Sequence, residues 1–109
     1  NYYINQINKR NINITYQKVL KNCKSSYHLF IILTKNKIKL LNELKKSKFY
    51  TPTHYMPIYS HFFYKKFRFD KKNFPNAEKY HKEAISIPIY FELNKKKIDH
   101  LLSLISMYA

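Results

Sequence analysis

The chain of 109 residues contains no glycine and no tryptophan. The absence of glycine excludes the glycine-rich loops that cradle phosphates and the GxSxG turn of many hydrolases, because both need backbone conformations that glycine supplies. A single cysteine, Cys23, excludes an internal disulfide framework. Cys23 has no CxxC partner, and no two histidines have the i, i+4 spacing of a helical metal site, so we expect no bound metal.

Acidic residues are scarce: the chain has 6 Asp and Glu against 21 Lys and Arg, which gives a net charge of +15. Strongly basic chains often bind nucleic acid. The lysines are scattered, however, and Arg10 and Arg68 are the only arginines, whereas specific recognition of phosphates and bases favours arginine. We therefore attribute the charge to compositional bias and expect no nucleic-acid partner; a basic nucleic-acid-binding module is the alternative.

Long apolar runs are also missing. The stretch Leu29–Leu33 has the length of a strand, far below the roughly 20 residues of a membrane-spanning helix. The N-terminus shows no secretory signal pattern. We expect a cytoplasmic protein without a membrane partner.

Apolar spacing predicts helices over Tyr2–Lys9, Lys37–Lys46 and Asn73–Ile85, and a final helix capped by Asn94. In the second helix, Ile38, Leu41 and Leu44 are expected to face the core. In the final helix, the expected buried stripe consists of Ile98, Leu101, Leu102 and Ile105.

Three segments favour extended structure. Alternation in Asn11–Val19 predicts a strand, and Tyr27–Leu33 is apolar on both faces, which suits a covered strand. Phe49–His54 contains Pro52, so we expect an extended segment that is either an edge strand or the end of a strand. Helices and strands together predict a small α+β domain.

The segment Asn73–Tyr90 combines a predicted helix with an extended end. Pro75 fits the first helical turn, where a missing N–H costs nothing. One helical face is predicted from Ala77, Tyr80, His81, Ala84 and Ile85. Pro88 is expected to stop the helix and to leave Ile87–Tyr90 extended.

The order of residues in this segment resembles the FP-x-AE-x-Y…A-x-S-x-P-x-Y signature of the DegT/DnrJ/EryC1/StrS sugar aminotransferases, which use pyridoxal phosphate. Three further blocks match in order: Ser25–Ile32 resembles SSYHLF, Thr53–Tyr59 resembles VHY-x-P-I/L, and Tyr64–Phe67 resembles YRKKF. The resemblance is strongest to enzymes that aminate nucleotide-linked 4-keto-6-deoxy sugars, of the UDP-4-amino-4,6-dideoxy-N-acetyl-altrosamine type.

The resemblance implies a small antiparallel sheet flanked by helices. Residues 1–10 would be the end of an interdomain helix, and residues 11–109 the small C-terminal domain. The large domain, with the lysine that forms the Schiff base, is expected to be absent from this chain, which begins at Asn1. We therefore predict no catalytic residue, no cofactor-binding residue and no transaminase activity from the chain alone. The implied partners are a nucleotide-sugar substrate, the large domain and a second subunit of a homodimer.

The family has glycine where this chain has Lys48, Arg68, Lys72 and Glu92. After a helix that ends near Ser47, a left-handed residue is favoured, and lysine in that conformation costs about 1 kcal/mol. These departures leave a nonfunctional gene remnant as an alternative.

The resemblance implies a substrate-binding role for His54, Tyr55, Met56 and Pro57. Imidazole and phenol groups donate and accept hydrogen bonds, which suits sugar hydroxyls, and Pro57 fixes the turn. The alternative is that His54 and Tyr55 only satisfy buried backbone groups. We interpret His28 as structural.

The segment Tyr55–Phe69 interleaves aromatic and basic side chains. We interpret it as a surface that packs against the large domain or a second subunit. A platform for single-stranded nucleic acid is the alternative.

Overall fold

A computed structural model describes residues 2–109. The α-helices are α1 (Tyr2–Lys9), α2 (Lys37–Lys46), α3 (Pro75–Glu83) and α4 (Lys95–Tyr108). The strands are β1 (Thr15–Tyr16), β2 (Phe30–Leu33) and β3 (Ala84–Ile87), and short 3₁₀ helices cover Ile58–Ser60, Phe62–Phe67 and Lys71–Asn73. The strands form one sheet in the order β1-β2-β3, with both neighbouring pairs antiparallel. This arrangement confirms the predicted α+β class with an antiparallel sheet and helices.

One face of the sheet carries the hydrophobic core. Side chains alternate between the faces of a strand, so the opposed pairs Phe30–Ile87 and Ile32–Ile85 point to the same side. The buried helix residues that belong to this core include Tyr3, Ile7, Leu40, Leu44, Ile98, Leu101, Leu102 and Ile105. Each large side chain of this kind stabilises the fold by about 1.5–3 kcal/mol, so the sheet and helices α1, α2 and α4 hold one another in place.

Helix α4 follows its sequence pattern. The Asn94 side chain accepts a hydrogen bond from the backbone N–H of Lys97 at 2.9 Å, as an N-cap does. The whole predicted stripe is buried: Ile98, Leu101, Leu102 and Ile105. The predictions for this helix are confirmed.

Helix α2 is correctly predicted in its bounds and in the burial of Leu44, but the prediction for Ile38 is wrong. Ile38, expected to face inward, is 77% exposed, whereas Leu40 and Leu44 are fully buried. Leu41 is half-buried and packs against the core. The apolar residues of α2 allow two phases for the buried stripe, and the docking of α2 onto α4 selects the phase that contains Leu40.

Helix α3 ends at Glu83, two residues before the predicted end. Ala84 has φ −75° and ψ 133°, so the chain passes directly from helix to strand. Ile85 then pairs with Ile32 in the sheet and is fully buried. The prediction that Ala84 and Ile85 extend the helical face is wrong, because pairing with β2 buries them more completely than an exposed helix end would. Pro88 therefore follows a strand instead of ending a helix.

The predicted strands are longer than the observed ones. Within Asn11–Val19, pairing is limited to β1, and within Tyr27–Leu33 it is limited to β2. Phe49–His54 forms no strand; it contributes one bond to the sheet edge, from the Ser86 N–H to the Pro52 carbonyl at 3.1 Å. A proline has no N–H to donate, so pairing does not continue there.

Four non-glycine residues within residues 2–109 have a positive φ: Asn11, Tyr27, Lys48 and Arg68. Two of them, Lys48 with φ 60° and Arg68 with φ 49°, stand where glycine was expected. At the end of α2, the Lys48 N–H bonds to the Lys45 carbonyl at 3.0 Å and the Phe49 N–H to the Leu44 carbonyl at 2.9 Å. This pair of bonds is a Schellman motif, which directs the chain after α2 toward the edge of the sheet.

No helix within residues 2–109 combines the length and the apolar character that crossing a bilayer requires.

Candidate substrate-binding cleft

A cleft of about 330 Å³ lies beside the outer edge of β3. We name it the histidine cleft. Its polar lining residues are His28, Lys48, Tyr50, His54, Ser86 and Tyr90. His28 precedes β2, Lys48 lies in the Schellman turn at the end of α2, Tyr50 follows that turn, and Tyr90 follows Pro88. The sheet and the end of α2 thus bring together residues that are far apart in the sequence.

His54 is anchored to the sheet by Ser86. Ser86 points away from the core face that carries Ile85 and is only 4% exposed. Its Oγ atom lies 2.8 Å from Nδ1 of His54. The His54 ring also meets Tyr55 edge to face, with 4.8 Å between ring centroids. These contacts hold the imidazole at the wall of the histidine cleft.

Tyr3 of α1 holds the backbone at Pro88, which lines the histidine cleft. The Tyr3 hydroxyl donates a 2.7 Å hydrogen bond to the Pro88 carbonyl. Burial, and secondarily the neighbouring Tyr90, raise the pKa of Tyr3. Tyr3 therefore remains a neutral donor at physiological pH and fixes the path of the chain at this side of the cleft.

The histidine cleft favours an anionic ligand. Among the described residues, no aspartate or glutamate lines it, while Lys48 contributes a positive charge and His28 and His54 contribute imidazole groups. A cleft lined by one sign of charge concentrates ligands of the opposite sign. Tyr50 and Tyr90 add phenol groups that donate and accept hydrogen bonds.

A second cleft, which we name the aromatic cleft, has a volume of about 340 Å³. It is lined by Pro57, Ile58, Tyr59, Phe69, Phe74 and Ala77. Tyr59 is buried and stacks on Phe74 with 4.9 Å between ring centroids. Its hydroxyl donates a 2.6 Å hydrogen bond to Glu78 of α3. Burial, together with this carboxylate, raises the pKa of Tyr59 to about 12.

The four residues predicted to bind substrate lie in different places. His54 lines the histidine cleft, and Pro57 lines the aromatic cleft. Tyr55 is 72% exposed and Met56 46% exposed, and neither lines either cleft. A binding role for these residues stays a prediction.

Three further candidates at the histidine cleft were not predicted from the sequence. His28, interpreted there as structural, is exposed at the cleft. Ser86 and Lys48 join it through the sheet register and the left-handed turn. The sequence contained a signal for His28 and Ser86, since both lie inside the matching blocks, but nothing in it showed that they meet His54.

The model of the DegT/DnrJ/EryC1/StrS aminotransferase family matches residues 1–106. The chain belongs to this family. It is 38% identical over 79 residues to the uncharacterized protein MJ1066 of Methanocaldococcus jannaschii. This match covers 66% of the present chain and 20% of MJ1066. It is also 32% identical over 53 residues to the spore coat polysaccharide biosynthesis protein SpsC of Bacillus subtilis. This second match covers 48% of the present chain and 14% of SpsC.

Solved structures of sugar aminotransferases share the fold. The putative sugar aminotransferase Spr1654 of Streptococcus pneumoniae, in its apo form, superposes with a TM-score of 0.84 at 20% identity over 98% of this chain and 29% of that chain. PseC of Helicobacter pylori, an aminotransferase involved in the biosynthesis of pseudoaminic acid, superposes with a TM-score of 0.80 at 26% identity, over 98% and 30%. The chain thus spans less than a third of the length of these relatives.

Members of the family bind pyridoxal phosphate, as the PLP form of Spr1654 illustrates. As a catalytic group, this cofactor needs a Schiff-base lysine and a charged partner for its pyridine nitrogen. Lys48 lies in the histidine cleft, but no carboxylate among the described residues lines it. The residues of this cleft therefore do not fit pyridoxal phosphate as a reacting cofactor.

The segment Tyr55–Phe69 presents an unusual apolar surface. Phe62 is 90% exposed, and Phe63 and Phe67 are also largely exposed. The Lys66 ammonium lies over the Phe63 ring, 4.1 Å from its centroid. We name these four residues the aromatic surface. Contiguous exposed apolar groups of this kind are typical of an interface.

Proposed function

We propose that this chain is part of a pyridoxal-phosphate-dependent aminotransferase that aminates a nucleotide-linked keto sugar, and that it contributes only substrate contacts. The observation that carries the proposal is the histidine cleft, in which His28, Lys48 and His54 converge without a neighbouring carboxylate. The proposed role is to hold the substrate, while a large domain outside this chain supplies the cofactor lysine. The proposed setting is cell-surface or flagellin sugar biosynthesis.

The chemistry of the cleft suits a nucleotide sugar. A nucleotide diphosphate carries negative charge, which Lys48 attracts, and phosphate and sugar oxygens accept hydrogen bonds from imidazole and phenol groups. Tyr50 and Tyr90 also provide aromatic rings on which a sugar or base can stack. The names of SpsC and PseC support a role in sugar or polysaccharide biosynthesis.

The aromatic surface fits the same proposal. The chain spans 29% of Spr1654 and 30% of PseC, so the greater part of such an enzyme lies outside it. We propose that Phe62, Phe63 and Phe67 pack against the large domain or the second subunit of a homodimer. We also place the activity in the cytoplasm, where an exposed free thiol such as Cys23 persists.

The substrate proposal is tested by titrating the isotopically labelled 109-residue chain with UDP-N-acetylglucosamine and following backbone amide shifts. Shifts centred on the histidine cleft are expected, and His54→Ala should reduce them. His61→Ala is the control, because His61 is exposed and lies outside this cleft. Binding that is unaffected by His54→Ala, or no binding at millimolar concentrations, contradicts the proposal.

The proposal that the cofactor lysine lies in another domain has a separate test. Pyridoxal phosphate added to the 109-residue chain should produce neither transaminase activity nor the absorbance band of a lysine-bound cofactor. The appearance of that band contradicts the assignment of the catalytic lysine to another domain. The coding sequence upstream of Asn1 separates the enzyme from a gene remnant: an open frame with the cofactor lysine supports the enzyme, and stop codons contradict it.

A further inference from the structure

We propose that Ser86 is a positioning residue, whose hydroxyl group holds His54 in the tautomer with the ring proton on Nε2. In this tautomer His54 presents a hydrogen-bond donor to an oxygen atom of the ligand. The inference deepens the proposed function and depends on it only for the identity of that ligand, since the tautomer is a property of the chain itself.

Ser86 is held in place by both its backbone and its side chain. It lies in β3, where it pairs with Ile31 of β2, and it is almost completely buried. Its backbone N–H bonds to the carbonyl of Pro52 at 3.1 Å, while its Oγ atom lies 2.8 Å from Nδ1 of His54. The same serine therefore fixes both the segment that carries the histidine and the ring itself.

The need to pair the buried hydroxyl proton of Ser86 decides which group donates the hydrogen bond between Ser86 and His54. A neutral imidazole donates through one nitrogen and accepts through the other. If Nδ1 of His54 donated, the hydroxyl proton of Ser86 would need another acceptor, and residues 2–109 offer its Oγ no second hydrogen-bond partner. Burying a donor without a partner is unfavourable. The hydroxyl group therefore donates to Nδ1, and the ring proton lies on Nε2.

The tautomer decides what His54 can do. A nitrogen that carries a proton donates a hydrogen bond and cannot accept a proton, so Nε2 serves as a binding group and not as a general base. Phosphate and sugar oxygens are suitable acceptors, and Lys48 in the same cleft favours the charged ones. The proposal thus assigns His54 to ligand recognition, with Ser86 acting through it.

The tautomer can be measured by nitrogen and carbon NMR of the labelled histidine rings in the 109-residue chain. The spectrum is recorded at pH about 8.5, where an ordinary imidazole is neutral, and His54→Gln assigns the signal. The wild-type chain should show the Nε2–H form, Ser86→Ala a mixture of both forms, and Ser86→Thr a return toward the wild-type form. Ser103→Ala is the matched control, because Ser103 donates to the Asp99 carbonyl on the exposed side of α4 and should leave His54 unchanged.

Two results overturn the proposal: an Nδ1–H form in the wild-type chain, or a Ser86→Ala spectrum identical to that of the wild type. If Ser86→Ala does not fold, as judged by amide dispersion, the wild-type tautomer still decides. UDP-N-acetylglucosamine is the ligand probe, and Ser86→Ala should weaken its binding about fivefold. If Ser86→Ala shifts the tautomer of His54 but UDP-N-acetylglucosamine does not bind the chain, the positioning role of Ser86 is supported and the substrate proposal is contradicted. If the ligand binds but Ser86→Ala leaves the tautomer unchanged, the substrate proposal is supported and the positioning role is contradicted.

Discussion

The hydroxyl group of Tyr59 donates a 2.6 Å hydrogen bond to Oε1 of Glu78, and this bond joins the segment that follows the histidine cleft to helix α3. The Tyr59 ring is buried and stacks on Phe74, directly before the first turn of that helix. One residue thus combines an apolar contact with a charge-assisted hydrogen bond. Tyr59 and Phe74 both line the aromatic cleft.

This contact predicts a specific loss of stability at alkaline pH. The folded-state pKa of Tyr59 is raised from 10.0 to about 12, because burial and Glu78 favour the protonated phenol. The stability that comes from this group is therefore complete below pH about 10 and is lost as the pH rises toward about 12. Tyr59→Phe keeps the stack on Phe74, lowers the Tm at neutral pH and removes this part of the alkaline loss. Thermal melts across the alkaline range measure the decrease in Tm for the wild type and for Tyr59→Phe, with Tyr55→Phe as a control at an exposed tyrosine. An equal decrease in the wild type and in Tyr59→Phe would show that Tyr59 does not cause the alkaline loss of stability.

Glycine at position 48 should stabilise the fold. Lys48 has φ 60°, and relief of its left-handed strain is worth about 1 kcal/mol. Arg68→Gly should act similarly at φ 49°. Lys45→Gly, inside α2, should instead lower the free energy of unfolding by about 1 kcal/mol. Urea denaturation measures all three variants, and stabilisation by Lys45→Gly would show that the effect does not come from backbone conformation.

The same two glycine variants separate strain from ligand binding. Lys48 lines the histidine cleft, whereas Arg68 lies elsewhere, and each substitution removes one positive charge. Lys48→Gly should therefore weaken binding of UDP-N-acetylglucosamine, while Arg68→Gly should leave it nearly unchanged. Calorimetric titration distinguishes the variants. An equal loss of affinity in both would mean that net charge, and not the position of Lys48, attracts the ligand.

Helix α2 offers a matched pair of core substitutions. Leu40 is fully buried, so Leu40→Ala should lower the free energy of unfolding by about 2–5 kcal/mol. Ile38 is exposed on the same helix, so Ile38→Ala should change it by about 0.5 kcal/mol or less. Chemical denaturation compares them directly. A larger decrease in the free energy of unfolding for Ile38→Ala than for Leu40→Ala would support the buried face that apolar spacing predicted, with Ile38 inward.

The aromatic surface should control self-association of the chain. Replacing Phe62 and Phe63 together by serine removes exposed apolar area without touching the core, so the Tm should change little while association decreases. Sedimentation velocity measures the association state. Phe91→Ser is the control, since Phe91 is fully exposed but lies outside this surface. An equal decrease with Phe91→Ser would show that the surface has no special role.

Much of the fold follows from local pattern. The stripe of α4 and its Asn94 cap are encoded within a few turns, and both are observed. The end of α3 is not local, because Ala84 and Ile85 suit a helix as well as a strand, and pairing with β2 decides between them. The buried face of α2 is similarly decided by its neighbours, since the spacing of Ile38 permits an alternative phase.

The candidate site was less accessible to sequence reasoning. His54 lies in a matching block and lines the histidine cleft. Ser86, 32 positions away, contacts it only because β3 places the serine on the face opposite the core. No periodicity connects residues so far apart, so their contact could not be read from the chain.

Residue order alone determined the family, the α+β class and the positive charge of this protein, because motifs, hydrophobic periods and composition are written in short stretches of the chain. Tertiary structure decided which apolar stripe of α2 is buried, where α3 becomes a strand, and that Ser86 meets His54 beside Lys48. The physical reason is that burial and hydrogen-bond satisfaction depend on which distant segments pack together. A short segment is compatible with several conformations or buried faces, and packing against the rest of the chain selects one of them.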